Sequence, residues 1–283
     1  MITVNDVAIK DVNSQFIIPP KPQILTDLSN LAKQEDPSLF EAGEIVAKDV
    51  GISSAILKII NSPLYGLSRT ISDIKQGVMF IGWDGLQNLV QGLKLKEAYA
   101  LHKSCICLER FWDNTTEIAE VSMLIGNRLR SRVPVENLYL LGLFHDCGVP
   151  AMAIKYSDYR DTLEKSNRDF SNSIVTLEDE LYFTNHAVVG YYLANSWNLP
   201  KDICELILRH HDLEYLYSID GSTQQICYSV LKLAETLVYN ERRYSSSRDW
   251  PFIMDLALEV LGLTEHDYSD LKEDVSDMLV NKD

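Results

Sequence analysis

Residues 138–149 read Leu-Tyr-Leu-Leu-Gly-Leu-Phe-His-Asp-Cys-Gly-Val. A strongly apolar helix runs into an adjacent His145-Asp146 pair and stops at Gly148. An imidazole beside a carboxylate is costly to bury unless both have partners. The pair therefore either binds something or is wired into a hydrogen-bond network. Candidate partners elsewhere in the chain are His186, His210-His211 and Glu235.

Around this stretch the pattern is helical throughout. Apolar residues recur at helical spacing in 23–34, 86–93, 118–129, 203–210 and 226–239, and no segment alternates as a strand would. Pro19-Pro20, Asp36-Pro37 and Asn61-Ser62-Pro63 punctuate the first hundred residues. Ser38 with Glu41 reads as a capping box. Ser53 is placed to cap the next helix after a turn at Gly51, and two helices are predicted over 71–81 and 84–102. Residues 156–169 are polar and of uncertain form. The fold class is all-α, with an N-terminal helical bundle lobe packed on a second helical lobe. The expected divisions are an extension at 1–15, the first lobe at 16–103, the second at 104–240 and C-terminal helices at 241–283.

The bulk numbers narrow the function. A chain of 283 residues can bury a large core. A formal net charge of −15 opposes binding to nucleic acid or anionic lipid, because phosphate binding rests on Lys and Arg. Five cysteines without a Cys-x-x-Cys spacing suggest a reducing compartment, hence the cytoplasm. Residues 1–15 carry Asp6 and Asp11 and lack the apolar core of a signal peptide. No apolar run reaches membrane-spanning length.

Several motifs together carry a resemblance. The first lobe has Ile18-Pro19-Pro20-Lys21-Pro22, Asp36-Pro37-Ser38, Asp49-Val50-Gly51-Ile52 and Asn61-Ser62-Pro63-Leu64-Tyr65-Gly66. The second has Phe111-Trp112, residues 142–148, His186-Ala187-Val188-Val189-Gly190, Trp197-Asn198-Leu199-Pro200 and His210-His211. In this order, over roughly 16–240, they resemble the HDOD family, the HD-related output domains. The resemblance implies a helical bundle joined to a core similar to HD-superfamily phosphohydrolases, and a bacterial signalling module without proven catalysis. It also exposes departures. Asn114 stands where the hydrolase pattern opens with a His, Glu235 where it closes with an Asp, and Val149 where many active members carry Lys.

His145, Asp146, His186 and His210 are the candidate ligands of a divalent transition metal (Fe, Mn, Ni or Zn), weakly bound or absent, since imidazole with carboxylate suits these ions. They are expected to converge in space. His211 is expected behind them, orienting His210 or Asp146, and Asn114 and Glu235 mark degenerate positions. The competing reading has the same side chains capping helix ends and bonding one another. The expected function is a non-catalytic signal-transduction module acting through contacts with a protein partner, with no nucleic acid or membrane involved. The first alternative is a metal-dependent phosphohydrolase. The second is a helix-turn-helix regulator, from the spacing of Ala47, Gly51 and Leu57. Arg128, Arg130 and Arg132 read as a solvated face, His102 and His266 as surface residues, and Asn61 as structural.

Overall fold

The computed structural model describes residues 16–129, 133–168, 173–244 and 247–280. Among them there is no strand, and the chain folds as two compact units. Pro19–Ala98 forms one; the described residues from Tyr99 onward, with Phe16–Ile18, form the other.

The N-terminal unit holds α1 (Gln23–Leu31), α2 (Leu39–Ala47), α3 (Val50–Ile60), a 3-10 turn at Pro63–Tyr65 and α4 (Ile74–Tyr99), whose last residue belongs to the second unit. Leu25, Leu28, Val46, Ile56 and Ile60 are its buried stripe. Ser38 caps α2 as expected, accepting from the Glu41 N–H. The cap of α3 is Asp49 rather than Ser53. Its carboxylate accepts from Ile52 N–H at 3.0 Å, so Gly51 falls inside the first turn, while the Ser53 hydroxyl donates to the Val46 carbonyl. Only Lys48 and Asp49 join α2 to α3, a tight helix corner. Gly82 breaks α4 at φ 72°, a backbone form that glycine adopts without steric penalty, and separates the two helices predicted there. Asn61 ties the following loop shut: its amide donates to the carbonyls of Leu57 and Ile71 and accepts from Ile71 N–H, all within 2.9 Å.

The second unit runs through α5 (Leu108–Leu129), α6 (Val135–Phe144), α7 (Gly148–Lys155), α8 (Tyr159–Arg168) and α9 (Ile174–Tyr182). It continues with α10 (His186–Ser196), α11 (Lys201–Arg209), α12 (Leu213–Ser218), α13 (Thr223–Arg243), α14 (Trp250–Leu261) and α15 (Glu265–Val280). Every residue of α6 from Leu138 to Phe144 is buried, and the helix packs on α5, α11 and α13. Each of its large side chains contributes about 1.5–3 kcal/mol at most. Because α6 is apolar on all sides, it delivers the residues at its C-terminus into the interior, and those are His145 and Asp146.

A turn at His145–Cys147 leads into α7, which packs on α10. The approach is so close at Gly148 that a Cβ there would overlap the His186 carbonyl. Residues 159–168, polar and of uncertain form in the sequence, are helical, with Tyr159 and Thr162 buried. His102 is not a surface residue: it is half-buried with its ring 6.1 Å from that of Tyr99. His266 is exposed and pairs with Asp270. Arg128 pairs with Asp274; Arg130 and Arg132 lie outside the described residues. No described helix is long and apolar enough to cross a membrane.

Candidate metal centre

Three helix ends meet around Asp146. The Oδ1 atom of this half-buried carboxylate lies 3.3 Å from His186 Nε2 and 3.2 Å from His210 Nε2. The two imidazole nitrogens are 3.3 Å apart, and His211 Nε2 is 3.1 Å from His186 Nε2. All four ligand atoms fall within 4.8 Å of one another. His145 approaches from the other side, with Nε2 3.4 Å from both Asp146 Oδ2 and Glu235 Oε1. The four residues expected to converge therefore do so.

His211, expected behind the other candidates, lies in the cluster with Asp146, His186 and His210. The cause is local: α11 ends at Arg209, so His210 and His211 are freed from helical spacing and both rings turn inward, with centroids 4.1 Å apart. Asn114 is half-buried and lines a cavity of about 730 Å³ that also contains Asp146. Glu235 reaches His145 with one oxygen and Lys232 Nζ with the other, at 3.0 Å.

The outward nitrogens decide what the inward ones offer. His145 Nδ1 lies 2.7 Å from the Gly142 carbonyl and His210 Nδ1 2.7 Å from the Ile207 carbonyl. A carbonyl only accepts, so in both rings Nδ1 carries the hydrogen and donates it. His186 Nδ1 faces Glu178 Oε2, also at 2.7 Å, and donates likewise. In a neutral ring each Nε2 is then a lone pair. Electron pairs from several imidazoles and a carboxylate thus point at one another, and the fully buried His145 Nε2 faces two carboxylate oxygens at 3.4 Å. Such an arrangement requires a cation, either protons on the rings or a metal ion. The C-termini of α6 and α11 favour positive charge at the same place.

The protonation balance agrees. Burial disfavours a charged His186, but Glu178 and Asp146 outweigh it and push this imidazole up to about 10. His145 is raised by Asp146 and Glu235 against its own burial. His210 is lowered, chiefly by burial, and His211 is held well below the ordinary value by burial and by His210. Burial also opposes an ionised Asp146, yet His145, His186 and His210 keep its pKa well below the usual carboxylate range. A proton on His186, favoured by Glu178 and Asp146, would also satisfy the group.

The donor set also fits a metal ion. Bonds of roughly 2.0–2.1 Å place neighbouring ligand atoms roughly 2.8–3.0 Å apart around an octahedral ion and roughly 3.3–3.4 Å apart around a tetrahedral one. The observed contacts of 3.1–3.3 Å lie between these two spacings. Three imidazoles and one carboxylate suit Mn, Fe, Ni or Zn.

Beside this group lies a cavity of about 400 Å³, walled in part by Val149, Tyr239, Lys232, Arg243 and Arg248. Lys232 is only 1% exposed and pairs with Asp249 at 2.9 Å as well as with Glu235. Burial works against its charge, but the two carboxylates keep its pKa well above the ordinary value. Sequence reasoning missed Lys232, Asp249, Glu178 and Tyr159. For Lys232 a signal existed: a lysine three residues before Glu235 inside an apolar helix. Glu178, in a Glu-Asp-Glu run, reads as a solvated face.

A family model described as the HDOD domain matches residues 18–213. An HDOD domain protein of unknown function from Geobacter sulfurreducens superposes with a TM-score of 0.71 at 20% identity, covering 97% of this chain and 94% of its own. A provisionally named signal transduction protein from Marinobacter aquaeolei gives 0.64 at 16% identity, covering 98% of this chain and 61% of its own. A provisionally named phosphohydrolase from Shewanella amazonensis gives 0.69 at 20% identity, covering 96% and 94%. An uncharacterized protein of Treponema pallidum is 23% identical over 198 residues, which are 70% of this chain and 38% of that protein. The chain thus spans well under half the length of that relative. The family match covers more than half of the chain, and the chain belongs to the HDOD family.

Proposed function

We propose that this chain is a signalling module that holds a divalent transition metal at Asp146, His186, His210 and His211, with His145 alongside, and does not turn over a phosphoester. The observation that carries the reading is the inward convergence of imidazole lone pairs whose outward nitrogens are already committed to protein acceptors. An ion at this point ties together the ends of α6 and α11 and the start of α10. Its occupancy would bias the surface presented to a protein partner.

The chemistry for turnover is thin. Asn114, which lines a cavity together with Asp146, takes the position where the resemblance implies an imidazole. Val149 supplies no charge, and Lys232 is engaged by two carboxylates. A missing electrostatic contact of this kind commonly costs ~3–4 kcal/mol of transition-state stabilisation. One observation favours the alternative of a metal-dependent phosphohydrolase: Arg243 and Arg248 line the cavity beside the cluster, where they could receive a phosphate.

The test separates the two. The protein is assayed with added Mn and Fe against nucleotides, cyclic dinucleotides and generic phosphoesters, beside Asp146→Ala. Bound metal without turnover is expected. Turnover that vanishes in the variant would establish the hydrolase instead.

A further inference from the structure

Glu178 is a fully buried carboxylate that the cluster itself does not include. Its Oε2 accepts from His186 twice, from the backbone N–H at 3.0 Å and from Nδ1 at 2.7 Å. Its Oε1 accepts from the hydroxyl of Tyr159, also fully buried. One side chain of α9 therefore satisfies the first backbone donor of α10, fixes the His186 ring, and is held in place by α8. The next residue repeats the grip: Asp179 accepts from Asn185 Nδ2 at 2.9 Å, and Asn185 caps α10 by accepting from Val188 N–H. Tyr182 closes the set, with its hydroxyl 2.7 Å from Thr162 Oγ1 and its ring 5.9 Å from that of Tyr159. The short link from α9 to α10 passes through Phe183 at φ 58°, a left-handed conformation unfavourable for a bulky residue, so this shape is imposed by the contacts around it.

We infer that Glu178 is the positioning residue of His186 and couples the metal centre to α8 and α9, so that occupancy of the centre is transmitted to those two helices. The inference rests on the metal reading proposed above. A carboxylate behind a ligating imidazole orients the ring and raises its basicity. Here the same carboxylate is also the junction of three helices. Movement of the His186 ring toward an ion must pull on Glu178, and through it on Tyr159. α8 supplies Leu163, Ser166 and Asn167 to the lining of the cavity, and the start of α9 supplies Ile174 and its cap residue Ser173, so the coupling reaches the pocket wall.

The experiment compares chelator-stripped wild type, Glu178→Gln and Tyr159→Phe. Zn(II) affinity is measured by calorimetry, and amide hydrogen exchange is followed with and without Zn(II). Wild type should bind Zn(II) and gain protection in α8 and α9. Glu178→Gln should bind about 10–100-fold more weakly and lose that gain. Tyr159→Phe, which keeps the carboxylate and removes one donor, should fall by a smaller factor, and it carries the test if Glu178→Gln does not fold. A folded Glu178→Gln with wild-type affinity overturns the positioning role and leaves the metal reading intact. A lowered melting temperature with unchanged affinity and unchanged protection has the same meaning, since that is what a merely structural residue would give. A wild type that takes up no Zn(II) overturns the metal reading and this inference together.

Discussion

Lys232 and Asp249 form an ion pair of 2.9 Å in which the lysine is 1% exposed. The pair joins α13 to the residue before α14 and stands against the cavity beside the metal cluster. Removing one partner leaves the other buried and uncompensated, a loss of about 3–5 kcal/mol. Lys232→Ala should therefore unfold in denaturant with a stability lowered by that order. Glu235 and Asp249 would then be left beside His145 and His211. A change below about 1 kcal/mol would show the pair to be fully solvated.

In the proposed centre a proton and a metal ion would compete for the same nitrogens. His186 in the folded, metal-free chain titrates at about 10, against about 6.5 when unfolded. Its protonation therefore stabilises the metal-free fold fully below about 6.5, and that contribution fades as pH rises toward 10. A metal ion must expel this proton. Metal affinity should rise with pH through this window and level off above it, with proton release visible as a dependence of the calorimetric heat on the buffer. Affinity independent of pH would contradict the assignment of His186 as a ligand.

Gly148→Ala places a Cβ onto the His186 carbonyl, a backbone atom with little freedom to move. Overpacking of this kind costs about 1–3 kcal/mol, and occasionally more. The variant should lose stability and, because the start of α10 must shift, metal affinity as well. Thermal unfolding with and without Zn(II) measures both.

Asn114→His would restore an imidazole on the cavity wall that also contains Asp146. Metal affinity should increase by about tenfold or more, the order of effect seen for groups around a metal. No gain in calorimetry would place position 114 out of reach of the ion.

Asp49→Ala tests the N-terminal unit separately. It removes the cap of α3 and the 2.8 Å partner of Lys94. The carboxyl sits below its ordinary pKa because of the Lys94 side chain and the Ile52 N–H. Its contribution is therefore present above about pH 4 and lost as pH falls through the lowered value. The cap is worth about 1 kcal/mol, and the half-exposed pair adds little. The difference from wild type should shrink in acid.

The all-helical fold was legible because amphipathic spacing is a local signal. Leu25, Leu28 and Leu31, or Ile203, Leu206 and Ile207, mark their buried faces without reference to the rest of the chain. His145, Asp146, His186 and His210 were legible because polar residues at the ends of apolar helices demand partners. What was not legible depends on tertiary packing. Glu178 belongs to a charged run and is buried only because α8 and α10 close over it. Residues 159–168 are so polar, with only Tyr159 and Thr162 buried, that the sequence left their form open. The cap of α3 was misplaced because Asp49 and Ser53 are both competent caps, and the position of the helix start decides between them.

The central claim is that Asp146, His186, His210 and His211 hold a metal ion. Elemental analysis of the protein after Zn(II) loading and exhaustive desalting, beside Asp146→Ala treated identically, tests it most directly. About one ion per chain is expected in the wild type, with a clear loss in the variant. Wild type free of metal, or a variant that retains as much, would contradict it.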